Sequence, residues 1–429
     1  MIAVLALLPG CMGNMADGPV SRFKSAEAEV GAQGATKAAL VKPADASEII
    51  HALQMRPSVL QSGTAYSQVA DAVIAADARV AEADLRVAQL RAEAAKKNWM
   101  PSIGPRVSLN SLGDFVAQLV IEQVIFDNGR KKAERDLAKA NVEIAAVTLV
   151  EDGNKRVYDA LSLYLKAEEN RDLAGHLGRA LKDMAHFEWV MQERVNGGVS
   201  DMSDLNVLRQ KLAAMRARRG EAEEATATAM AELNAMSVRN LGELRGIGDL
   251  RAAGAAEPLG VIRARAERER TMAEARIQRA SHLPGLSASG SVDRDGNTMG
   301  GLEITTDSLF SLGTMAEFKA LEVVKDAADR KVSEAREVAE RKVQAQSSKL
   351  SAYQRQAAEA VTLTAQAKTN LDLFRAQYEG GQRQVMDVVG VYETWAQALE
   401  TELELTYKAA RAELELARLK GALAEGARI

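Results

Sequence analysis

Two stretches of the chain replace helical spacing with strict alternation. In the first, Ile103, Pro105, Val107 and Leu109 alternate with Ser102, Gly104, Arg106, Ser108 and Asn110. A turn at Ser111-Leu112-Gly113-Asp114 follows, and Phe115 to Phe126 returns rich in Val, Ile and Leu. In the second, Leu286, Ala288, Gly290 and Val292 alternate with Ser287, Ser289, Ser291 and Asp293. After Arg294-Asp295-Gly296-Asn297, the residues Leu302, Ile304 and Thr306 alternate with Glu303, Thr305 and Asp307. Successive side chains of a strand point to opposite faces, so period 2 around a Gly turn predicts a β-hairpin at each place, about 101–126 and about 284–310.

Much of the chain around the hairpins reads as long helix, while 12–44 reads as an extended or poorly ordered leader. The eight prolines stand at 9, 19, 43, 57, 101, 105, 258 and 284, leaving 106–257 and 285–429 free of them. Proline costs about 3 kcal/mol inside a helix, so these runs are where very long helices can form. They are filled with Ala, Glu, Arg, Lys, Leu and Gln. The pattern predicts helices over about 45–98 and 255–282, each running up to an X-Pro step that forces extended geometry. It predicts further helices from Arg130 to Asn196 and from Thr314 to Glu379, with returning helices at about 202–240 and 385–425. The 67 residues from Arg130 to Asn196 would extend ~100 Å, beyond the diameter of a globular domain. Gly197-Gly198 and Gly380-Gly381 break the long helices at their tips.

The two halves repeat each other. Asn98-Trp99-Met100-Pro101-Ser102-Ile103 returns as Ser281-His282-Leu283-Pro284-Gly285-Leu286, 183 residues later. Arg194-Val195-Asn196-Gly197-Gly198-Val199 returns as Gln377-Tyr378-Glu379-Gly380-Gly381-Gln382, and Asp204 as Asp387, at the same offset of 183. Ile125-Phe126-Asp127-Asn128-Gly129 aligns with Leu309-Phe310-Ser311-Leu312-Gly313 after a one-residue insertion. This period is too long for a solenoid unit and fits duplication of one module, 45–250 and 251–429.

The strands, about ten residues each, have the length that crosses a bilayer when tilted, with one apolar and one polar face. Trp99, Phe126 and Phe310 sit at one end, where an aromatic girdle would lie. Four strands cannot close a barrel, and an open sheet cannot stand in lipid. Either the hairpins are soluble and half-buried, or several chains share one barrel.

Composition removes most other chemistry. Lys+Arg number 55 against 59 Asp+Glu, a net charge of −4, which gives no electrostatic reason to expect nucleic acid. One cysteine and four histidines without ligand spacing support neither a disulfide framework nor a metal centre. No nucleophile–base set can be assembled, so no catalytic residues and no cofactor are expected. Asn128-Gly129-Arg130-Lys131-Lys132 lacks the glycine cradle and Lys-Ser/Thr of a phosphate loop, and Glu221-Ala222-Glu223-Glu224 reads as a solvated helical face.

At the N-terminus, Ile2 to Leu8 is an apolar run too short to span a bilayer. It reads as a signal-peptide core, with residues 1–10 removed. Leu8-Pro9-Gly10-Cys11 resembles a bacterial lipobox, which implies lipidation of Cys11 and a lipidated leader over 11–44; an incidental cysteine is the alternative.

The order of these features resembles the TolC-like outer-membrane factors over roughly 45–425. The resemblance rests on the paired modules, the X-Pro entry into a strand, Phe126-Asp127-Asn128-Gly129-Arg130 opening a helix, and the spaced Asp after each tip. It implies a mainly α fold with a small β part, made of duplicated antiparallel helical hairpins and β-hairpins. It further implies a homotrimer with a 12-stranded transmembrane barrel above an α-barrel tunnel. The implied role is a passive exit duct in the cell outer membrane that reaches into the periplasm. The implied partners are a periplasmic adaptor (membrane fusion) protein, an inner-membrane pump and outer-membrane lipid, in efflux or type I secretion. The family's periplasmic gate maps onto Asp204, Tyr378, Arg383 and Asp387, with Tyr378 and Arg383 bonding to Asp204 and its neighbours and Asp387 lining the lumen. Gly390 stands where some relatives carry a second acidic residue, which implies a weaker cation block. Read without the resemblance, Arg383 and Asp387 are an i,i+4 surface pair. The competing function is a soluble periplasmic coiled-coil adaptor or scaffold, which leaves the two β-hairpins and the apolar leader unexplained.

Overall fold

The computed structural model describes residues 47–76, 80–109, 115–251, 254, 256–294, 296–306 and 312–426. The signal segment 1–10, the leader 11–44 with Cys11, the turn 111–114 and Phe310 lie outside the described residues.

Among the described residues, twelve elements follow in order: α1 (Glu48–Gln54), α2 (Ala65–Ile74), α3 (Val80–Lys96), β1 (Ser102–Leu109), β2 (Phe115–Phe126), α4 (Arg130–Asn196) and α5 (Met202–Ala235), then α6 (Leu259–Ser281), β3 (Gly285–Asp293), β4 (Thr298–Thr305), α7 (Thr314–Glu379) and α8 (Val385–Leu419). The succession helix, two strands, long helix, returning helix occurs twice. α4 and α7 have the ends expected from the glycines that flank them.

The helix expected over 45–98 is instead three helices. Pro57 cannot continue α1, and Gly63, at φ 83°, makes the turn before Thr64 caps α2 by accepting from the Ser67 amide at 3.3 Å. Both returning helices also stop short of the expected ends, α5 at Ala235 and α8 at Leu419. The shortened ends release segments that pack around the middle of α4. Arg156 donates to the carbonyls of Val73 and Met236, both at 3.1 Å. Tyr164 donates to the Gly246 carbonyl at 2.9 Å, and the Gly246 amide donates to Glu168 at 2.7 Å. Asn154 donates to the Arg418 carbonyl at 2.9 Å and accepts from the Leu423 amide at 3.0 Å. Each bond gives a buried polar group a partner, which an apolar helix surface would deny it.

Three apolar clusters run along α4. The upper one joins Leu85 of α3, Val147 and Val150 of α4, and Ile262 of α6. The middle one joins Tyr66, Val69, Leu161, Leu165, Leu233 and Leu414. The lower one joins Met184 and Phe187 of α4, Leu205 and Leu208 of α5, Leu371 of α7, and Val388 and Tyr392 of α8. Residues three and four apart supply each contact, the spacing that places side chains on one helix face.

Candidate functional site

The four strands form one antiparallel sheet in the order β1-β2-β3-β4. Register sorts their side chains. Ile103 faces Ile121, Pro105 faces Leu119 and Val107 faces Ala117 across β1 and β2. Ile121 then faces Gly290 and Leu119 faces Val292 on β3, while Ala288 faces Leu302 and Leu286 faces Ile304 on β4. Directly opposed residues share a face, so these form one apolar surface. The other face collects Ser102 with Glu122, Arg106 with Gln118, Gln118 with Asp293, Glu122 with Ser289, and Ser287 with Glu303. The apolar face is uncovered: Ile103 is 66% and Ile304 75% exposed. Trp99 and Phe126 are exposed at the same end of the sheet.

β2 leaves the sheet through a rigid corner. Asn128 and Gly129 take left-handed backbone, φ 53° and 85°. The Asp127 carboxylate accepts from the Gly129 amide at 3.1 Å and from the Lys131 amide, capping the start of α4. Asn98, just before β1, donates to the Lys131 carbonyl at 3.0 Å and accepts from Arg135 at 2.8 Å. Asn128 reaches the second module and donates to the Pro284 carbonyl at 2.9 Å. Sequence reading gave Asn98 and Asn128 no such roles; their place beside an X-Pro step and a Gly corner was the available signal.

At the opposite end lie the two tips. Gly198 and Gly381 take φ 70° and 75°, and paired bonds close each helix: Val199 amide to Arg194 carbonyl and Gly198 amide to Val195 carbonyl, then Gln382 to Gln377 and Gly381 to Tyr378. This is the Schellman closure, which glycine supplies without strain. Gly197 and Gly380 precede it with ordinary φ of −82° and −76°.

The four residues expected at a gate lie around these tips. Asp204 lies in the first turn of α5, whose N-cap is Asp201. Tyr378 packs edge-on against Phe187 with ring centroids 6.4 Å apart. Arg383 donates to Gln377 Oε1 at 3.0 Å and lies 4.5 Å over the Phe374 ring. Asp387 accepts from the Gln384 amide at 3.1 Å and completes a capping box with that residue. Among the described residues of one chain, no hydrogen bond joins Tyr378 or Arg383 to Asp204. The i,i+4 pair between Arg383 and Asp387 is not formed either, because Gln377 and Phe374 hold the guanidinium while Asp387 serves the helix start. That capping function was legible as Gln384-x-x-Asp387 and was missed.

Among the described residues, no helix is long and apolar enough to cross a membrane, and no group of acidic, His or Cys side chains could hold a metal ion.

No protein-family model matches the chain, and no curated protein matches it by sequence. Solved structures do. A membrane protein from Pseudomonas aeruginosa superposes with a TM-score of 0.72 at 14% identity, over 85% of this chain and 91% of its own. The outer-membrane channel OprN gives 0.70 at 16% identity, over 86% and 93%. The outer membrane protein VceC from Vibrio cholerae gives 0.69 at 15% identity, over 83% and 96%. In duplicated helical hairpins, paired β-hairpins and near-complete coverage of both partners, this chain has the fold of the TolC-like outer-membrane factors.

Proposed function

We propose that the chain is the outer-membrane exit duct of a tripartite export system, with no catalytic role. The observation that carries the reading is the sheet: an uncovered apolar face on four strands whose outer members, β1 and β4, each pair on one side only. An unpaired strand edge is untenable in lipid, because each free N–H and C=O costs several kcal/mol there. Three copies joined β4 to β1 would pair every edge in a closed 12-stranded barrel, with the apolar face outward and Arg106, Glu122, Asp293 and Glu303 towards water. The helices favour the same neighbour. Val87 and Leu90 on α3 and Met315 and Val323 on α7 are exposed apolar positions. α3 packs on α4, and α7 on α6 and α8, so the exposed positions belong to helices at the two flanks of the upper bundle.

In this reading the homotrimer sits in the outer membrane, its helices form a periplasmic tunnel, and an adaptor with an inner-membrane pump delivers the cargo. The cargo is small molecules in efflux or an unfolded protein in type I secretion. Cys11 adds a lipid anchor after removal of residues 1–10. Tyr378, Arg383 and Asp204 hold the tunnel's end shut through contacts completed between helical hairpins, and Asp387 offers cations a ring of three carboxylates. Fractionation with sizing in detergent tests the assembly. A trimer in the outer-membrane fraction is expected, and a stable soluble monomer would return the chain to the adaptor or scaffold reading.

A further inference from the structure

Above the tips, three aromatic and charged side chains from α7 and α8 meet one carboxylate and one histidine of α4. Asp183 of α4 accepts from Tyr392 Oη of α8 at 3.2 Å and from Arg375 Nη2 of α7 at 3.1 Å. The Arg375 guanidinium lies 5.5 Å over the Tyr392 ring. Tyr392 meets Trp395 edge-on at 5.3 Å, and Trp395 meets His176 of α4 edge-on at 5.8 Å. His176 is 1% exposed and neither ring nitrogen completes a hydrogen bond, although the Ala396 carbonyl faces it. An orphaned imidazole at the contact between two helices is costly, and the apolar packing alone does not call for one.

We infer that Asp183, Tyr392, Arg375, Trp395 and His176 form an acid-released joint that holds the first helical hairpin against the second, separate from the tips. The charges around His176 set its direction. Burial is the largest influence and disfavours the imidazolium; Glu400 on α8 and the Ala396 carbonyl oppose this, and Arg179 on α4 adds to it. Glu400 is already engaged by Arg218 of α5 at 2.8 Å. From α7, Lys368 lies 5.9 Å over Trp395 and is itself paired with Asp372. A protonated His176 therefore meets the Arg179 cation, a carboxylate already paired and the Ala396 carbonyl, and burial outweighs the two that would hold its charge. The packed arrangement binds fewer protons than an arrangement in which the ring is wet. Its advantage is full above the free imidazole value of about 6.5 and declines as pH falls below it. Protonation thus favours separation of α4 from α8, against the two bonds to Asp183.

The joint itself is testable without the duct reading, and only its effect on conductance depends on that reading. Hydrogen exchange on the full-length protein in detergent, divided by the intrinsic rate at each pH, reads opening directly. On acidification from pH 7.5 to 5, protection of amides in 172–190 and 388–400 should fall about tenfold, while that of 157–165 in the middle cluster holds. His176→Gln should abolish the pH dependence. Tyr392→Phe should lower protection at every pH and keep the dependence. An unchanged pH response in His176→Gln, or none in the parent, would overturn the inference. If exchange behaves as expected but acid leaves single-channel conductance unaltered, the joint stands and its coupling to a duct fails; absence of any channel would count against the duct reading alone.

Discussion

Asn128 donates from Nδ2 to the Pro284 carbonyl at 2.9 Å, joining the corner that ends the first β-hairpin to the proline that begins the second. The bond fixes where β3 enters beside β2, and hence the register that gathers Ile121, Leu119, Gly290 and Val292 on one face. A slip of one residue there would turn every β3 side chain to the wrong side.

Asn128→Ala should cost about 0.5–1.5 kcal/mol through the lost bond, plus strain from its positive φ. Gly129→Ala meets no steric neighbour, so its cost should come from φ 85° alone, about 1–2 kcal/mol. Denaturant or thermal unfolding of the two variants would separate the terms, and a double variant less destabilised than the sum would show that the corner acts as one unit.

Ile121→Arg places a charge on the apolar face in a central strand. If that face meets lipid, the cost should be about 2–4 kcal/mol near the bilayer midplane. Heat-resistant trimer recovered from membranes should drop sharply. A Gln118→Arg control on the polar face should assemble normally.

Tyr378→Phe with Arg383→Ser removes the two donors at the second tip. If the proposed gate forms between helical hairpins, each charge-assisted link lost should cost its closed state about 1–3 kcal/mol, and planar bilayers should show higher single-channel conductance. Equal conductance with trimers intact would assign closure to helix packing.

Asp387 caps α8, and in the proposed duct it would also charge the lumen. Asp387→Asn keeps a side-chain acceptor for the Gln384 amide and removes the charge, so cation selectivity should fall with little change in stability. Asp387→Ala should lose both, with an added cost of about 0.5–2 kcal/mol at the start of α8.

If the chain is the proposed duct, Cys11→Ser should abolish incorporation of labelled palmitate without abolishing outer-membrane insertion, since a shared barrel would insert by its own apolar face. Mature protein that still carries residues 1–10 would reject the signal assignment.

The sequence determined what local rules can fix. Proline-free runs of helix formers between glycines set the ends of α4 and α7, because a helix ends where its backbone donors and acceptors find other partners. Alternation at Ile103, Pro105 and Val107, and again at Leu286, Ala288 and Val292, set which residues share a face, because a strand's side-chain period is two. Tertiary structure decided the rest. Pro57 and Gly63 marked locally that 45–98 could not stay one helix, but the path of the segment 55–64 is shaped by where Val59 and Ser58 bond to Ala422 and Leu423, more than 360 residues away. The pairing of β2 with β3 joins strands separated by all of α4 and α5, and no periodicity specifies a partner at that distance. Asp183, Tyr392, Arg375 and His176 each read as ordinary helix-surface or packed residues in isolation. They become one cluster only because α4, α7 and α8 bury the same apolar stripe, and the burial of that stripe brings their polar neighbours within bonding distance.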